Sequence, residues 1–430
     1  MDFFMLLTYL FSLFHNNQTA GPSHSSPDVN SKIFNVFNYG AIGNGYADDT
    51  KAFMDAWEDT CNYIGSKSTM EIPQGRAFLL QPIGFHGPCK SKKIVFSISG
   101  NLTAPYAPYQ WKCNEDYCHQ WIEFAHINGL YIDGPGTIDG QGPKWWSLNC
   151  KKYEQACHRR PRGMVISHSS NVHISNIVVK DSPNFQMSLE DSKWIFVKQL
   201  TITADGDSPN TDGIHIQRCR NVFVHNSNIH TGDDCISIGD GSKYVNISGI
   251  SCGPGHGISK FFIAQTSIGS LGRNGSKETV ENVIVRDCIF RKTDNGVRIK
   301  TWQGGRGLVR NILFERIKLH GVTRPIIIDQ FYCPHSQCNN HTDAVEIKNI
   351  MYKHIHGTAV KKPFVELLCS KSVPCRDIYM NDIDILDQDE GKGKKYHKRS
   401  SHPPAECINV RGESNGAIKP KLACLDSERH

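Results

Sequence analysis

Hydrophobic and polar residues alternate in short runs through most of the chain after about residue 164. Each run is a brief β-branched stretch that ends at Asn, Asp or Gly, and no long helical pattern separates one run from the next. This alternation is typical of strands bounded by turns. The stretches are NVHISNIVV, WIFVKQLTI, NVFVHNSNI, YVNISGISC, VENVIVRDCIF, RNILFERIKL, IKNIMYKHI and RDIYMNDIDIL.

The starts of these stretches lie roughly 22–30 residues apart, with two longer gaps. A repeat of that length with several small strands predicts a right-handed parallel β-helix, whose coils stack at about 4.8 Å. A β-propeller or a β-sandwich is the alternative. Either would need antiparallel hairpins with N-G or D-G turns, and that pattern is largely missing. We therefore predict an all-β fold with a single elongated solenoid domain.

The N-terminal region differs from the rest of the chain. An apolar run at residues 3–14, FFMLLTYLFSLF, is too short to cross a bilayer and fits the apolar part of a secretory signal. Asp2 stands where a positive charge is usual, and no A-x-A site follows, so a misassigned start or a buried segment is the alternative. We expect a signal peptide over residues 1–20, a linker over residues 21–32 and the solenoid over residues 33–425.

A helical pattern begins the folded part, within FNVFNYGAIGNGYADDTKAFMDAW. Phe53, Trp57 and Cys61 recur there every four residues, directly after Asp48 and Asp49. Aspartates at such positions accept hydrogen bonds from the free N–H groups of a first helical turn. We therefore predict a helix that caps the N-terminal end of the solenoid, and we interpret the two carboxylates as helix caps and not as a catalytic pair.

Composition narrows the class of protein. The 430 residues are 39% hydrophobic and 21% charged, which is typical of a globular protein and excludes a disordered or membrane-spanning one. The net charge is +6, and the basic segment KGKKYHKR at residues 392–399 is either a solvated loop or a contact for a polyanion. No nucleic-acid-binding module accompanies it, so we expect no nucleic-acid partner.

Sixteen cysteines and five N-x-S/T sequons indicate a secreted, disulfide-bonded glycoprotein. A zinc site is the alternative use of the cysteines, but the sequence has no C-x-x-C pair and no H-x-x-x-H pair. The pairs separated by short loops are Cys113–Cys118, Cys150–Cys157, Cys333–Cys338 and Cys369–Cys375. The sequons start at Asn17, Asn101, Asn246, Asn274 and Asn340.

Residues that could carry out acid–base chemistry recur at the spacing of the repeat. SPNTDGIHI contains Asp212, TGDDCISIG contains Asp233 and Asp234, and GPGHG contains His256, in steps of about one coil. Residues one coil apart become neighbours about 5 Å apart. Each residue alone has a plain reading as a turn residue beside glycine. Stacked carboxylates, however, repel and raise one another's pKa, so the column as a whole predicts a catalytic site.

Two cations are expected beside this column. Arg298 and Lys300 in RIKT are two residues apart, so they face the same side of a strand. They either form a structural ion-pair patch with the carboxylates or bind the carboxylate of an acidic substrate. Tyr332 in IDQFYC lies one further coil along and would complete the cleft.

Together, SPNTDGIHI, GDDCISIG, CGPGHGIS and RIKTWQGG resemble the four motifs of the polygalacturonases of glycoside hydrolase family 28, in their plant form. The resemblance runs from about Phe34 to Cys424 and includes GPCKS and IDGPGTIDGQGPKWW. It implies hydrolysis of α-1,4-galacturonosyl linkages in pectin by single displacement with inversion. It also implies a secreted, monomeric enzyme of the cell wall that needs no metal and no organic cofactor.

The resemblance also implies roles for individual residues. Asp233 is the general acid, Asp212 and Asp234 position and deprotonate the attacking water, and His256 lies near the acid and tunes its protonation. Cys235 and Cys252 correspond to a disulfide of the family beside the catalytic motifs. The residues implied to contact the sugar are Asn210, Arg298, Lys300, Gln330 and Tyr332.

The expected geometry contains one tension. A one-coil step of about 5 Å is closer to the carboxyl separation of retaining glycosidases than to the ~6.5–9.5 Å of inverting ones, although the family inverts. Asp233 and Asp234 are adjacent and would face opposite sides of a flat strand. We therefore expect a bend after Gly232 that turns both toward the groove, fixed by the Cys235–Cys252 disulfide.

The segment KFFIAQTS at residues 260–267 departs from the family pattern, which reads GPGHGISIGSLG without interruption. It is a gene-model error, a tolerated loop, or an insertion that displaces His256 and weakens the enzyme. Two rival functions follow from the same architecture. One is a pectate lyase that uses Ca²⁺ and β-elimination, and the other is a catalytically silent protein that binds acidic cell-wall polysaccharide.

Overall fold

Most of the chain is placed in the computed structural model. It describes residues 30–113, 118–148, 160–253, 266–333, 341, 343–388 and 403–425. The predicted signal peptide, His256 and the basic segment 392–399 lie outside these residues, as does the octet 260–267 except for its last two residues. The first strand begins at Ser31, so the solenoid starts within the predicted linker.

Strands account for most of the described chain, and two helices and three 3₁₀ turns join them. The helices are α1 (Thr50–Asn62) and α2 (Pro143–Trp146), and the 3₁₀ turns are Val36–Tyr39, Pro108–Gln110 and Arg273–Gly275. The strands are β1 (Ser31–Asn35), β2 (Asn44–Asp48), β3 (Lys67–Ile72), β4 (Ala77–Leu79), β5 (Ile83–His86), β6 (Lys93–Ile98), β7 (Asn101–Thr103), β8 (Gln120–Ala125), β9 (Leu130–Asp133), β10 (Thr137–Asp139), β11 (Arg162–Ser167), β12 (Ser170–Ser175), β13 (Val178–Lys180), β14 (Met187–Glu190), β15 (Lys193–Lys198), β16 (Thr201–Thr203), β17 (Ile214–Gln217), β18 (Arg220–His225), β19 (Asn228–His230), β20 (Ile236–Ile238), β21 (Lys243–Ser248), β22 (Ser251–Cys252), β23 (Thr266–Leu271), β24 (Lys277–Arg291), β25 (Asn295–Trp302), β26 (Arg306–Val322), β27 (Arg324–Tyr332), β28 (Glu346–Ala359), β29 (Val365–Leu368), β30 (Cys375–Asp387), β31 (Ala405–Ile408) and β32 (Val410–Lys419).

Two parallel sheets run along the coil. Sheet B has eleven strands, in the order β5, β8, β11, β14, β17, β20, β23, β25, β27, β29 and β31, and sheet A contains the other 21. In each sheet a strand pairs in parallel with its counterpart one coil earlier and one coil later, as β17 does with β14 and β20. This arrangement confirms the predicted right-handed parallel β-helix, because parallel crossovers are almost always right-handed.

Asparagines occupy several corners between strands. Asn282, Asn311 and Asn349 have φ values of 60°, 58° and 52°, a left-handed conformation that Asn tolerates better than most residues. The Asn311 amide donates to Asn282 Oδ1 at 2.8 Å, and the Asn349 amide donates to Asn311 Oδ1 at 2.8 Å. The corner requirement and this ladder explain why the hydrophobic runs in the sequence are punctuated by Asn and Asp.

Columns of aliphatic side chains fill the interior. Ile216, Ile238, Ile268, Ile299 and Ile328 follow one another in register through sheet B. All five are 0% exposed. Truncation of such a buried side chain to alanine generally costs about 2–5 kcal/mol of folding free energy. The columns hold successive coils in register, so they fix where the polar side chains on the outer face of sheet B lie.

Helix α1 covers the N-terminal end of the core, as predicted. Its Phe53 is buried, and Trp57 packs against the rings of Phe85 and Phe124 at centroid distances of 5.2 and 6.2 Å. A disulfide joins the helix, through Cys61, to the coil below it. The solenoid therefore begins with an aromatic layer sealed by one helix.

The interpretation of the two aspartates before α1 is correct for one of them. Asp48 Oδ1 accepts a hydrogen bond from the Thr50 N–H at 3.1 Å, which is the expected cap. The prediction is wrong for Asp49, whose carboxylate accepts hydrogen bonds from the N–H groups of Ile42 and Gly43 at 2.6 and 3.1 Å. Asp49 is buried, so it turns toward the unpaired donors of the preceding loop and not toward its own helix.

Eleven of the described cysteines, Cys333 among them, are disulfide-bonded, and two further described cysteines are free. The bonds Cys113–Cys118, Cys235–Cys252 and Cys369–Cys375 confirm predictions, and Cys150–Cys157 and Cys338 lie outside the described residues. Cys219 and Cys288, which were assigned to no predicted pair, are buried free thiols. Burial raises the pKa of each of these thiols to about 12. The remaining bonds are Cys61–Cys89 and Cys407–Cys424.

Two further features bear on where the protein works. None of the helices in the described part of the chain is long and apolar enough to cross a membrane. Of the described sequon asparagines, Asn101 and Asn274 are exposed and Asn246 is only 3% exposed. Glycosylation therefore remains a prediction, and it fits Asn101 and Asn274 better than Asn246.

Candidate active site

Three carboxylates meet at one edge of sheet B. Asp212 and Asp234 each stand two residues before a strand residue, and those two strand residues, Ile214 and Ile236, pair in register. Adjacent coils therefore place the two side chains side by side, with Asp233 next to them. One carboxylate oxygen from each aspartate lies within 4.8 Å of the other two. The structure thus brings together the acidic residues that the repeat spacing predicted.

A bend between β19 and β20 turns both neighbouring aspartates toward the cluster. The Asp233 carboxylate accepts the Asp234 N–H at 2.8 Å, which folds the chain back on itself. Gly232 precedes the bend, and a Cβ at this position would lie 2.2 Å from the Ser208 carbonyl oxygen, so only glycine fits. The Cys235–Cys252 disulfide ties the bend to the next coil. The expected bend after Gly232 is present.

Two members of the cluster, Asp212 and Asp233, hold their protons unusually tightly. Burial, and then the charge of Asp234, raise the pKa of Asp233 to about 7. Burial also raises the pKa of Asp212 well above its usual range, with further contributions from Asp233 and Asp234. Asp234 forms an ion pair with Lys300, with 3.5 Å between Nζ and Oδ2. A protonated carboxyl group therefore lies beside an ion-paired carboxylate, the combination that acid–base catalysis requires.

A hydrogen-bonded chain leads away from Asp212 along the outer face of sheet B. Ser237 Oγ lies 2.5 Å from Asp212 Oδ2 and 2.8 Å from His215 Nδ1. The other ring nitrogen of His215, Nε2, lies 3.0 Å from Gln217 Oε1. Because Gln217 Oε1 only accepts, His215 Nε2 carries a proton. Asp212 and His215 Nδ1 then share one further dissociable proton, which lies on one or the other.

Burial decides where that proton rests. Burial lowers the pKa of His215 and raises the pKa of Asp212, so both shifts favour neutral His215 and protonated Asp212. In the other arrangement Asp212 is ionised and His215 is an imidazolium, with Ser237 bonded to both. The chain therefore offers Asp212 an internal proton acceptor two side chains away.

Two cations face the cluster from β25. Lys300 is 8% exposed and Arg298 6%, and the Arg298 guanidinium is 3.9 Å from Asp329 Oδ2. Burial disfavours the charged form of Lys300, but Asp234, Tyr332 and Asp233 together outweigh it, so the net effect raises the Lys300 pKa. The Tyr332 ring lies between them, 5.3 Å from Arg298 and 5.4 Å from Lys300. Arg298 Nε has no hydrogen-bond partner among the described residues, so this buried donor is available to an anion.

Close packing of backbone beside Lys300 depends on one glycine. Gly269 on β23 pairs in register with Lys300 and has a φ of 130°. A Cβ on Gly269 would lie 1.9 Å from the Lys300 carbonyl oxygen. No other residue would allow β23 to approach β25 this closely, so Gly269 helps to set the height at which the Lys300 side chain enters the cluster.

An aromatic wall beside the cations was not predicted from the sequence. Trp302 packs edge-on against Tyr332 at 5.5 Å, and the Arg273 guanidinium lies 5.6 Å from the Trp302 ring centroid. These three residues line a cavity that also reaches His215 and Gln217. The signal was present in RIKTW, since Trp302 is two residues after Lys300 and therefore on the same face of the strand.

The two remaining residues predicted to contact the sugar, Asn210 and Gln330, lie in different parts of the coil. Asn210 is exposed at the rim, and its backbone N–H bonds to the Asp233 carboxylate. Gln330 is 0% exposed, donates to the Val345 carbonyl at 2.8 Å and accepts from the Ser370 N–H at 2.6 Å. Its neighbour Asp329 faces outward in register with Lys300, so strand alternation turns Gln330 inward. As a correction, Gln330 holds adjacent segments together inside the coil and does not reach the groove.

The register locates the effect of the octet. Thr266 of β23 pairs with Ile236 and with Val297 on either side. Without residues 260–267, Ile258 would take that strand position, and His256 would stand two residues before it. This is the offset that Asp212 and Asp234 have in the two preceding coils. With the octet present, the residue at that offset is Ala264. In sequence, His256 precedes Thr266 by ten residues, whereas Asp212 and Asp234 precede their paired strand residues by two. Its place beside the aspartates remains a prediction.

The cluster could in principle hold a metal ion, because three carboxylates are oxygen ligands of the kind that Ca²⁺ prefers. The Lys300 ammonium already supplies a positive charge within this group, at 3.5 Å from Asp234. The donor set is therefore balanced by a side chain of the protein itself, and a divalent ion would have to displace or share that cation. The carboxylates fit a protein-only acid–base site better than a calcium cage.

Comparison of the sequence with known proteins finds one family and relatives that are named as polygalacturonases. The sequence model of "Glycosyl hydrolases family 28" matches residues 61–407. The chain is 39% identical to "Polygalacturonase QRT2" of Arabidopsis thaliana, over 92% of this chain and 85% of that protein. It is 38% identical to an "Exopolygalacturonase" of Zea mays, over 98% of both chains.

Solved structures share the fold at lower sequence identity. An exopolygalacturonase from Thermotoga maritima superposes with a TM-score of 0.65 and 19% identity, over 84% of this chain and 88% of that chain. An endo-xylogalacturonan hydrolase from Aspergillus tubingensis has a TM-score of 0.66 and 20% identity, over 90% and 100%. At this level of identity the likeness bears on the fold alone.

Proposed function

Since the chain belongs to glycosyl hydrolase family 28, we propose that it hydrolyses the α-1,4-galacturonosyl linkages of pectin with inversion, as a polygalacturonase. The observation that carries this proposal is the cluster of Asp212, Asp233 and Asp234 facing Arg298 and Lys300 in one groove. It combines an acid–base centre with cations suited to a uronate. Membership in the family favours glycoside hydrolysis over pectate lyase chemistry.

Asp233 is the general acid in this proposal. A raised pKa of about 7 keeps its proton at the acidic and neutral pH where it must protonate the glycosidic oxygen. Asp234, in its ion pair with Lys300, and Asp212 hold the attacking water and take up its proton. Asp212 is ionised, and able to act as the base, only in the arrangement in which its proton has moved through Ser237 to His215. His256 remains a proposed modulator of Asp233.

The nearest carboxylate oxygens lie within 4.8 Å, which is shorter than the ~6.5–9.5 Å separation typical of an inverting pair. That rule describes two carboxyl groups with a water between them. Here a third carboxylate shares the site, and the closest approach is therefore not a measure of the acid–base distance. We keep inversion as part of the proposal, and polarimetry or NMR of the first-formed anomer would test it.

Substrate recognition rests on the cationic side of the groove. Arg298, with an unpartnered Nε, and Lys300 would bind the galacturonate carboxylate, and Tyr332 would pack against the sugar ring. Asn210 would contact the sugar from the rim. We further propose a secreted, monomeric enzyme of the cell wall, because its disulfides suit an oxidising compartment.

A second candidate function follows from the octet. The octet lengthens the sequence between His256 and β23 by eight residues, and a displacement of a catalytic group by about 1 Å can cost about 100-fold in rate. If the octet displaces His256 in this way, the protein would still bind acidic wall polysaccharide through the cations of its groove, but it would hydrolyse it very slowly.

The deciding experiment compares the full chain with a variant lacking residues 260–267, using a reducing-end assay on polygalacturonate. Deletion restores the aspartate offset to His256, so we expect kcat to rise by about 100-fold. Equal activity in both forms would mean that the octet is a tolerated loop.

The same assay separates the rival functions when chelator and product analysis are added. Insensitivity to EDTA and the absence of unsaturated, ultraviolet-absorbing products would support hydrolysis, and the reverse would support a lyase. Both forms could instead be retained on immobilised polygalacturonate and release no new reducing ends. That result would contradict the proposed hydrolysis and support the function of a polysaccharide-binding protein.

Ser237→Ala tests the proton chain. The substitution removes the hydrogen bond that lowers the pKa of Asp212 and breaks its link to His215, so Asp212 keeps its proton to higher pH. We expect kcat/KM to fall about 10-fold and its low-pH limb to move upward, measured from pH–rate profiles. Ser188→Ala is the matched control, because Ser188 pairs with His215 in register but bonds to Glu190. Identical profiles for the two variants would contradict the chain.

A further inference from the structure

Two histidines and an aspartate converge on the outer face of sheet A. His354 and His356 lie on β28, and Asp382 lies on β30, one coil later. His354 Nδ1 is 2.8 Å from Asp382 Oδ2, and His356 Nε2 is 3.2 Å from the same oxygen. Ligand atoms of all three residues lie within 4.8 Å of one another. The group belongs to neither the groove nor sheet B.

The fold explains why these three side chains meet. Lys353 pairs with Asn381 and Ile355 with Ile383, so His354 and Asp382 stand opposite one another at the same corner of successive coils. His354 and Asp382 both have left-handed backbone, with φ values of 52° and 54°. Their side chains therefore leave the sheet from equivalent corners. His356, two residues further along the strand, approaches the same oxygen from the side.

We propose that His354, His356 and Asp382 bind a Zn²⁺ ion, with His354 Nδ1, His356 Nε2 and an Asp382 carboxylate oxygen as its ligands. Zinc is bound in many proteins by three imidazole or carboxylate ligands at about 2.0–2.2 Å, with water in the fourth position of a tetrahedron. Ligand atoms on a tetrahedron of that size are about 3.3 Å apart. The observed nitrogen–oxygen distances of 2.8 and 3.2 Å need only small side-chain movements to reach it.

The donor set favours zinc over calcium or magnesium. Two imidazoles and one carboxylate form a mixed nitrogen–oxygen site, whereas Ca²⁺ and Mg²⁺ select oxygen ligands. The three side chains are between 35% and 47% exposed, so water can fill a fourth position. Asp384 pairs in register with His356 and offers a second carboxylate nearby.

The charges around the site do not oppose a cation. On the adjacent coil Arg316 stands in the same column, but its guanidinium is bound to both oxygens of Asp287 at 2.6 and 3.0 Å. Lys318 pairs in register with His356, and Lys419 pairs with Asp384. These are exposed lysines on long, movable side chains, and Asp382 and Asp384 balance them.

A bound ion would join β28 to β30 near the C-terminal end of the solenoid. Zinc that binds only the folded chain raises its stability in proportion to the logarithm of the ion concentration over the dissociation constant. Bound zinc would therefore stabilise the last coils of the solenoid, next to β32, the final strand of sheet A. It is independent of the proposed hydrolysis, because none of its residues lies in the groove.

The test is calorimetric titration of ZnCl₂ into the tag-free full chain after removal of metal with a chelator. The variants His356→Asn and Asp382→Asn each remove one ligand and keep a polar side chain. We expect each to weaken the site at least about 10-fold and to abolish the zinc-dependent rise in Tm. His320→Asn is the control, because His320 is exposed on sheet A outside the cluster.

A second readout identifies the ligands directly. Co²⁺ in place of Zn²⁺ should give the visible absorption of a tetrahedral nitrogen–oxygen site in the full chain and in His320→Asn, and not in the two ligand variants. Circular dichroism and hydrolysis of polygalacturonate without zinc check that each variant is folded. Zinc affinity and stoichiometry unchanged in both ligand variants would overturn the proposal, as would an absence of zinc binding by the full chain.

Discussion

Asp233→Asn is expected to lower kcat on polygalacturonate by about 10²–10⁴-fold, because an amide cannot donate the proton that the leaving oxygen needs. The amide has nearly the same shape as the carboxyl group, so the substrate should still bind and KM should change little. Asp207→Asn, at an exposed position in the loop before Asp212, is the matched control and should retain full activity. Both variants are compared in whichever form is active, with or without residues 260–267.

The pH dependence provides an independent check of this assignment. In the free enzyme, kcat/KM should fall as pH rises through about 7, where the Asp233 cluster loses its proton. The same raised pKa predicts an effect on stability. The folded state holds the Asp233 proton more tightly than the unfolded chain, whose aspartate titrates near 3.8, so stability falls as pH rises from about 4 to about 7.

Asparagine does not ionise, so Asp233→Asn should have a higher Tm than the native chain above pH 7, and the difference should disappear near pH 4. If Asp233→Asn lowered both the activity and the Tm at every pH, the loss of activity would come from a damaged structure and not from the missing general acid. Full activity in Asp233→Asn would show that another group donates the proton.

The solenoid could be predicted from the sequence because its two determinants are local and repeated. Isoleucines at alternating positions fill the columns that include Ile216 and Ile238, and asparagines such as Asn282 and Asn311 supply left-handed corners. Both recur at the coil period, so the spacing of the sequence is the spacing of the structure. The same period brought Asp212 and Asp234 together, because each precedes paired isoleucines by two residues.

The features that sequence reasoning missed depend on contacts outside that period. Gln330 was assigned to the groove, but its orientation follows from Asp329 facing outward beside Lys300, which only the register reveals. His215 and Ser237 resemble ordinary strand residues until their hydrogen bonds to Asp212 are known. His354 and His356 form only an H-x-H pair in the sequence, and their third partner lies one coil away.

Burial of the acidic cluster has two opposing consequences. Burial raises the proton affinity of Asp212 and Asp233 and lowers stability at neutral pH, because charged groups lose hydration. That same loss of hydration strengthens every electrostatic contact in the site, including the one between Lys300 and Asp234. The isoleucine columns and the Cys235–Cys252 bond hold the coils in register against the repulsion. Catalytic geometry here depends on the rigidity of the solenoid and on a cation placed within the cluster.

Lys300→Met is therefore the second substitution with a large expected effect. Methionine keeps most of the volume of the side chain but removes the charge that pairs with Asp234 at 3.5 Å and that we propose for the substrate carboxylate. We expect kcat/KM on polygalacturonate to fall about 10²–10³-fold, as when one preorganised electrostatic contact is removed from an active site. Lys193→Met, at an exposed position on sheet A, is the control and should behave like the native chain.

Methyl-esterified pectin separates the two roles of Lys300. If the ammonium binds the galacturonate carboxylate, esterification of the substrate already removes that contact, so Lys300→Met should lower activity on the ester less than on polygalacturonate. An equal loss on both substrates would mean that Lys300 acts only through its ion pair with Asp234 within the cluster. A variant with unchanged kcat/KM on both substrates would contradict any role of this cation in the site. The Lys300 ammonium is buried 3.5 Å from Asp234 Oδ2, and its removal must change the rate if that carboxylate takes part in the reaction.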